Sequence, residues 1–568
     1  MKKTPIGLFI CLGMIFGLLI SAPFAFSQDE PSFSSLSLWI GGHYTGIEDY
    51  HKKVGEFDRG EEGALPEIFL DYSNYKGKKT LRFSGHFYDP KRISVDLSGR
   101  SKEVLSGKIS YHSFYRQRGK DLLNNLMARE ATDKLNTLPG GGKMVTSEDL
   151  TPDADFGYTR HQLTSDFKIK VPGKANLKII ASHRSILEDG EDQKIVSMHC
   201  SSCHMVSKSV EVDRQTHAAS VGFEVNPVEA LLLSYTGSFR TFKSEAPVPT
   251  AFYDTAEHPI KGVNLSDRVI FGGEEVDFGE IPQTQKIAHT VKLQTQMGKS
   301  KIYGSFTNSQ AKNISQGLEI NSNGGNLKYV VNPTLKTKFT ATASLKRIEN
   351  DDVEIDVPAW RGGDPEQFDF IRYSSLTRTQ GEGSAEFIYQ PERRYRVSVS
   401  AGYEQTTRDD YPEPEAEGKT TKLKMSLGGK YRPHSKFTGR LKYFLEKTED
   451  PAPYNLIFEE SGKTYSSPFY YYQREELRYS QVTNQATMLH GVDLKLNFKP
   501  DQKATLSAGI RASLETNSDI DTLDFERTRL QPNLSLTLSP NPRWNLFGNL
   551  SYVYDKSNGL AAVAMMNG

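Results

Sequence analysis

The chain has 568 residues, and its 70 basic and 70 acidic side chains give a formal net charge of zero at pH 7. Without a net charge it has no electrostatic preference for nucleic acid or for anionic lipid, and no nucleic-acid partner is predicted. Tyr and Phe are plentiful, at 27 and 30 residues, yet the dense apolar runs of an ordinary soluble protein of this length are absent from the sequence.

The amino terminus has the pattern of a secretory signal peptide, predicted over residues 1–27. Two lysines precede an apolar run from about Ile6 to Leu19, and small residues ending at Ser27 come before polar Gln28. Cys11 lies within the apolar run, too early to be the lipid-modified cysteine of a lipoprotein. No later run has the length of a membrane-spanning helix. The remaining classes are a secreted globular protein, a fibre or a β-barrel.

From residue 28 onward the main signal is strict alternation of apolar and polar residues. In the stretch from Tyr395 to Tyr403, every second residue is apolar and the residues between are polar, which predicts a strand with one apolar face. The same pattern recurs at Phe339–Leu345, Leu423–Leu427, Ala504–Leu514 and Leu534–Leu538.

The breaks between these strands are of two kinds. Short breaks recur at Asp89-Pro90, Pro172-Gly173, Asn226-Pro227, Gly298-Lys299, Asn332-Pro333, Gln390-Pro391, Arg432-Pro433, Lys499-Pro500 and Ser539 to Pro542. Longer polar excursions cover about 118–157, 187–209, 246–282, 351–377 and 451–485. Short turns on one side and long loops on the other are typical of a transmembrane β-barrel. Aromatic residues near strand ends are expected to form its interfacial girdles: Tyr389, Tyr395, Tyr431, Tyr443, Trp544 and Tyr552.

These patterns predict an all-β fold for residues 28–568, a large transmembrane antiparallel β-barrel of about 20 to 24 strands in the bacterial outer membrane, in contact with its lipid. A soluble β-sandwich rarely needs so many strands in one chain. A β-helix would show a fixed short repeat, whereas the spacing between the short turns varies.

One motif stands apart from the strands. Cys200, Cys203 and His204 form a C-x-x-C-H, the pattern that attaches one haem c: both thiols bond to the haem vinyls and the histidine is the proximal iron ligand. A disulfide between the two cysteines is the alternative. Zinc would need further ligands, and a second cysteine pair or a nearby H-x-x-x-H is missing from the sequence.

The signal peptide, the proline-punctuated hairpins and the Cys200 to His204 motif, followed by polar, basic Lys208 to His217, resemble the outer-membrane barrels of porin-cytochrome electron conduits, the MtrB and PioB type. The resemblance implies that the barrel sheathes a periplasmic multihaem c-type cytochrome, or one reaching the extracellular side, and carries electrons across the membrane. In that family a C-x-x-C lies near the amino terminus. Here the pair lies further along the chain and is completed by His204, so this chain could rely on a partner, contribute a haem, or do both.

The distal iron ligand has several candidates. His183 and His217 are equally far from Cys200, so a symmetric hairpin would make them cross-strand neighbours, and His217 is the predicted distal ligand. Both also share the parity of apolar residues, which places them instead at a membrane interface. His199 and Met205 are nearer in sequence but adjacent to the motif.

Other functions make different demands on the sequence. A diffusion porin needs only the barrel and leaves the motif unexplained. An outer-membrane hydrolase needs a nucleophile and a base, and without a G-x-S-x-G or a local Ser/His constellation no enzymatic activity is predicted. TonB-type transporters carry a folded plug before the barrel, whereas strands begin here almost directly after Gln28.

The carboxyl end predicts an incomplete barrel. The strand from Trp544 to Tyr554 leaves a short turn and runs toward the loop side, and Leu560 to Met566 does not alternate. Bacterial single-chain barrels have an even number of strands, and a last strand without a partner leaves an open edge in lipid. A short closing strand over Leu560 to Met566 is the alternative.

Overall fold

The computed structural model of the chain describes residues 32–46, 63–121, 147–149, 151, 154, 156–173, 176–197, 205–253, 274–355, 370–372, 374, 376–409, 417–451, 455–458, 477–480, 485–501, 503–518, 525–541 and 543–559. The predicted signal peptide, the C-x-x-C-H motif and the segment from Leu560 lie outside these residues. The described residues form strands and turns, and none of them belongs to a helix long and apolar enough to cross a membrane.

Most strands belong to one large sheet. They are β1 (Ser32–Thr45), β2 (Gly63–Lys76), β3 (Lys79–Asp89), β4 (Arg92–Ser101), β5 (Leu105–Gln117), β6 (Ser147–Asp149), β7 (Gly157–Lys170), β8 (Lys178–Ser197), β9 (Met205–Val228), β10 (Leu231–Ser244), β13 (Thr284–Met297), β14 (Ser300–Asn313), β15 (Glu319–Thr334), β16 (Thr337–Asn350), β19 (Arg378–Glu392), β20 (Tyr395–Asp409), β21 (Glu417–His434), β22 (Phe437–Glu449), β25 (Met488–Phe498), β26 (Ala504–Asn517), β27 (Phe525–Asn541), β28 (Trp544–Ser551) and β29 (Tyr554–Asn558).

Three small hairpins lie in the connections between sheet strands. They are β11 (Thr250–Tyr253) with β12 (Glu274–Asp277), β17 (Val353–Ile355) with β18 (Phe370–Arg372), and β23 (Asn455–Phe458) with β24 (Leu477–Ser480).

The large sheet contains 23 strands and is a meander, because almost every strand pairs antiparallel with the next one along the chain. Short β6 is the exception and pairs in parallel with β9. The last two segments, β28 and β29, pair with successive parts of β27. Among the described residues no backbone pairing joins β1 to β28 or β29. The prediction of a large antiparallel all-β fold with about 20 to 24 strands is confirmed.

The two rims of the sheet differ as predicted, with one correction. One rim carries the short turns, such as 298–299, 335–336 and 435–436, and the other carries the long connections, such as 118–156 and 245–283. The Asp89-Pro90 turn is the correction: it joins β3 to β4 at the long-loop rim, although it resembles the short turns in sequence. A tight turn shows that two strands meet, but which rim it occupies depends on the count of strands before it.

Proline ends the ladder at several short turns. At Asn332-Pro333, Gln390-Pro391 and Arg432-Pro433 the strand register shifts, because proline has no amide hydrogen to donate. The residue before each proline donates its amide to a carbonyl of the neighbouring turn, at 3.2 Å for Asn332, 2.7 Å for Gln390 and 2.8 Å for Arg432. The same hydrogen bond, from the residue before a proline to the preceding short turn along the rim, therefore recurs at the short-turn rim.

From β13 to β27 the apolar face is the exposed face of the sheet. Val399, Leu427 and Leu441 on neighbouring strands are 50, 55 and 53% exposed, while Ser398, Ser400 and Ser426, next to the first two along their strands, are more covered. On the polar face, opposed hydroxyls bond across strands, as Ser400 does with Ser426 at 2.7 Å. Side chains spread on a convex surface and crowd on a concave one, so the sheet is convex on its apolar face here.

The exposed apolar face has a defined height. In β20 it runs from Tyr395 to Tyr403 and is replaced by Gln405 and Thr407 toward the loop rim. Nine residues span about 26 Å along a strand at about 3.3 Å per residue. At the short-turn end the face finishes in exposed aromatic rings, including the stacked pair Tyr395 and Tyr431, whose centroids are 5.1 Å apart. The girdle residues Tyr389 and Trp544 are also exposed, at 43 and 63%.

Strands β3 to β7 differ from this pattern. On their apolar face Ile109 is 1% exposed and Leu163 is 4% exposed. Among the described residues, the apolar side chains packed against them are Leu81, Leu97, Tyr111 and Phe167, all from strands β3, β4, β5 and β7 themselves. A single-layer sheet buries a side chain this fully only where it curls toward that face, so the curvature here favours the apolar side.

Candidate functional site

The C-x-x-C-H motif falls at the end of the longest hairpin, β8–β9. The pairing of these strands continues without a shift from Lys178 and Glu224 to Ser197 and Met205. The predicted loop 187–209 is therefore mostly paired strand, and only residues 198–204 connect the two strands. Cys200, Cys203, His204 and His199 lie in that connection, outside the described residues.

The hairpin projects past the strands beside it. β7 is paired with β8 as far as Glu191, and β10 is paired with β9 as far as Arg214. The six residues from Asp192 to Ser197 continue beyond the pair of Gly157 with Glu191, so the end of the hairpin lies about 20 Å beyond that pair at about 3.4 Å per residue. The motif is therefore attached on the long-loop side, well beyond the rim of the neighbouring strands.

Two elements from distant parts of the chain brace this projection, which we call the tip. β6 pairs with the outer edge of β9 from Met205 to Ser207. The β11–β12 hairpin packs on one face, where buried Ala251 contacts Val196. Nearby, the Lys208 ammonium lies 5.5 Å from the Phe278 ring centroid and donates to the Thr250 carbonyl. An isolated two-stranded hairpin is marginally stable, so these contacts are needed to hold it.

A buried polar network completes the bracing. The Lys120 ammonium lies 3.3 Å from the Asp149 carboxylate and donates to the Thr151 carbonyl at 3.0 Å. The hydroxyl of Ser207, which is fully buried, donates to the Asp149 carboxylate at 3.0 Å and accepts from the side-chain amide of Gln193 at 3.0 Å. Burial alone would raise the pKa of Asp149, but hydrogen bonds from the Thr151 amide, Ser207 and Lys120 outweigh it and lower that pKa.

Gln193 also anchors the hairpin to Asp121, in the segment that follows β5. Its side-chain amide donates to the Asp121 carbonyl at 2.8 Å and its side-chain oxygen accepts from the Asp121 amide at 2.7 Å. Below it, the Asp192 carboxylate lies 3.6 Å from Arg118 and 4.0 Å from Arg214. The sequence did not predict this network, because its members lie up to 96 residues apart, as Arg118 and Arg214 do, and share no regular spacing.

The structure does not bring His217 to the motif. His217 lies twelve residues along regular β9 from Met205, about 40 Å at about 3.3 Å per residue. Met205 is the described residue nearest to His204 in sequence, so the geometry of β9 gives no support to His217 as the distal ligand of a haem at His204. His217 and His183 are neighbours as predicted, but diagonally: His183 pairs with Ala219 and His217 with Ser185. Their rings stack with centroids 6.2 Å apart.

This diagonal pair belongs to a repeated arrangement on the apolar face. In three other strand pairs a tyrosine hydroxyl lies 2.8 Å from a histidine Nδ1. The three pairs are Tyr111 with His161, Tyr235 with His289, and Tyr443 with His490. Each histidine stands two residues nearer the loop rim than the residue directly opposite the tyrosine. The recurrence assigns His183 and His217 to this series of interface pairs.

Within the described ranges no group of three or more His, Cys, Asp or Glu side chains could hold a metal ion. The donors that suit haem are the two thiols and the imidazole of residues 200–204, and their chemistry matches covalent attachment of haem c. The described residues of the tip hold the two strands that lead into and out of the 198–204 connection.

Comparison with known proteins gives no assignment from sequence: no family model and no curated protein matches the chain. Among solved structures, the FrpB iron transporter from Neisseria meningitidis is 10% identical, with a TM-score of 0.40 over 83% of this chain and 74% of its own. The copper transporter OprC is 9% identical, with a TM-score of 0.40 over 90% and 74% of the two chains. The siderophore receptor PiuA from Acinetobacter baumannii is 10% identical, with a TM-score of 0.39 over 92% and 76%. At these values the likeness carries no inference about function.

Proposed function

We propose that the chain is a bacterial outer-membrane β-barrel that serves as the barrel component of a porin-cytochrome complex, with one haem c on the tip. The main support for a location in the membrane is the exposed apolar face of β13 to β27. Large contiguous apolar surfaces are rare on monomeric soluble proteins. The nine residues from Tyr395 to Tyr403 match the 9–11 residues that a tilted strand needs to cross a bilayer.

The orientation follows from the two rims. In outer-membrane barrels the short turns face the periplasm and the longer loops face outward. The C-x-x-C-H connection is attached at the long-loop rim, so in this orientation it faces the outside of the cell. Cys200 and Cys203 would hold the haem by thioether bonds, and His204 would bind its iron. The bound group would supply a one-electron redox centre.

A partner is needed for electrons to cross. The hydrocarbon core is about 30 Å thick, and a single haem beyond the rim does not bridge it. The concave polar face of the sheet offers a surface compatible with a multihaem c-type cytochrome, because charged cofactors are costly in lipid. Support for this partner comes from the polar concave face and from the resemblance to conduit barrels.

The test is the mass of the mature protein made in a host with a working haem-attachment system. The expected result is a covalent haem adduct with haem absorption, lost in Cys200→Ala and Cys203→Ala. Cys11→Ala is the matched control, because the predicted signal peptide is removed, and it should leave the adduct unchanged. An unmodified mass in that host would contradict the haem proposal and leave the disulfide.

A diffusion porin is the second candidate, favoured by the polar, hydroxyl-rich concave face. It predicts a large, steady conductance in planar bilayers from protein that carries no haem and brings no cytochrome through purification. Co-purification of a multihaem cytochrome from the native membrane supports the conduit, even without haem on this chain.

A further inference from the structure

Four cations face one another across four neighbouring strands on the concave polar face. Arg396 of β20 pairs with Lys430 of β21, Lys430 pairs with Arg440 of β22, and Arg440 pairs with Lys495 of β25. We call these residues the cationic row. Like charges directly opposite each other in a sheet destabilise it, so such a row carries an energetic cost in the protein alone.

Almost no carboxylate offsets this charge. Asp493 lies 3.6 Å from Lys495 and is the acidic residue of the next level, where it stands opposite both Lys442 and Arg511. Among the described residues, no ion pair joins Arg396, Lys430 or Arg440 to an acidic side chain. Asp493 is thus shared among three cations and leaves the row largely unneutralised.

The same strands neutralise their charges nearer the loop rim. There Lys424 lies 2.8 Å from Glu404, and Lys422 lies 3.6 Å from Glu446. The same strands therefore place opposite charges together near the loop rim and only cations at the level of the cationic row. The unneutralised level is the feature that requires an explanation.

The position of the row indicates where its counter-charge comes from. Arg396 is two residues from the short turn 393–394, and Lys430, Arg440 and Lys495 lie four or five residues from theirs. On the opposite face at this height, Tyr395 and Tyr431 are exposed and belong to the apolar band. The cations therefore point away from the lipid side and are reached from the short-turn opening.

We propose that the cationic row binds an acidic surface of a protein that enters the concave side from the short-turn rim. At about 4.8 Å between strands, four strands extend over about 14 Å. A small anion contacts one or two cations at once, whereas several carboxylates fixed on a folded surface match a row of this length. The inference deepens the proposed function and rests on it for the presence of a protein partner in the barrel.

The test uses the detergent-solubilised full-length protein and fluorescent poly-L-glutamate as the probe, with binding followed by fluorescence anisotropy. Lys430→Gln combined with Arg440→Gln should weaken binding about tenfold at low salt, and the remaining affinity should depend less on salt. Lys422→Gln combined with Lys424→Gln is the matched control. It removes two cations from the same region, but both have carboxylate partners, so binding should change less than about twofold.

Equal loss in the two double variants would overturn the proposal, because binding would then follow total charge. Unlabelled poly-L-glutamate and tripolyphosphate are then compared as competitors at equal concentrations of negative charge. If tripolyphosphate displaces the probe as well as the peptide does, the row binds small anions instead. Haem absorption is measured on the same preparations. Protein that carries haem but does not bind the probe would contradict this inference alone. Protein that binds the probe but carries neither haem nor a cytochrome would contradict the proposed function alone.

Discussion

Strands β5 and β7 alternate in sequence as β20 and β21 do, yet their apolar side chains have opposite surroundings. Ile109 and Leu163 are 1 and 4% exposed, whereas Val399 and Leu427 are 50 and 55% exposed. On the polar face Lys108 and Asp166 are exposed, although Ser110 on the same face of β5 is 5% exposed, while Ser400 and Ser426 are partly covered. The difference lies in the direction in which the sheet curves.

The alternation of a strand and the curvature of its sheet are independent properties. A period of two requires only that successive side chains point to opposite faces. Which face is concave depends on the twist and coiling summed over several strands. An apolar residue on a convex face needs lipid as its solvent, whereas one on a concave face has a protein environment. The two regions should therefore respond differently to substitution.

The largest effect is expected for Ile109→Ala. Removing three carbons from a fully covered site leaves a cavity as well as losing transfer free energy, about 2–5 kcal/mol of the free energy of unfolding. Leu427→Ala is the control and should lose about 1–2 kcal/mol, because lipid refills the space. Urea unfolding in lipid vesicles measures both, and equal losses would show that the two faces share one environment.

A charge on the convex face should cost nearly as much. Leu427→Arg is expected to destabilise the vesicle-inserted protein by about 2–4 kcal/mol, the cost of a cation near the bilayer midplane. Ser426→Arg, one residue away on the concave face, should change the stability by less than about 1 kcal/mol. If both variants lose the same amount, the apolar face does not meet lipid.

At the tip, Asp149→Asn should cost about 1.5–3 kcal/mol of local stability, because the Lys120 side chain is 4% exposed and its ammonium loses the Asp149 carboxylate. Hydrogen exchange of the β9 amides from Met205 to Ser209 measures it. Asp166→Asn, an exposed residue of β7, is the control. Unchanged exchange in Asp149→Asn would show that Lys120 needs no carboxylate.

The lowered pKa of Asp149 also predicts an acid limit for the tip. Its contribution to stability is complete above the pKa of an unfolded aspartate, about 3.9, and is lost as the pH falls through the lower pKa of the folded protein. The hydrogen-exchange rates of the β9 amides from Met205 to Ser209, corrected for the pH dependence of exchange in an unfolded chain, should stay constant down to about pH 4 and rise below it. In Asp149→Asn this acid dependence should disappear; its persistence there would assign it to another group.

The smallest effect is expected for Tyr443→Phe. It removes the hydroxyl 2.8 Å from His490 Nδ1 at a half-exposed site, worth about 1 kcal/mol or less. Tyr389→Phe, an exposed tyrosine outside the four diagonal pairs, should have almost no effect. A loss in Tyr443→Phe as large as that in Ile109→Ala would mean that the pair is a core contact.

Much of the fold was predictable, since the strand from Tyr395 to Tyr403 and its counterparts need only local alternation. The projection of β8–β9 was not, because residues 188–194 are polar or glycine at every position and lose the alternation once the strands leave the apolar band. The diagonal offset of His183 and His217 also escaped prediction, since the hairpin is centred on Ser201 rather than Cys200. The Lys120, Asp149 and Ser207 contact depends on tertiary structure alone.

The projecting part of β8–β9 holds the 198–204 connection at a fixed distance from the rim of the neighbouring strands. Unbraced, a tilt of about 5° at its base would move an end about 20 Å away by about 2 Å. With β6 on its edge and β11–β12 on its face, that motion is opposed, and the height of the tip is set by the number of residue pairs. Deleting two residues from each strand would lower the connection by about 7 Å and keep every remaining side chain on its face, whereas deleting one from each would lower it by half as much and reverse the faces.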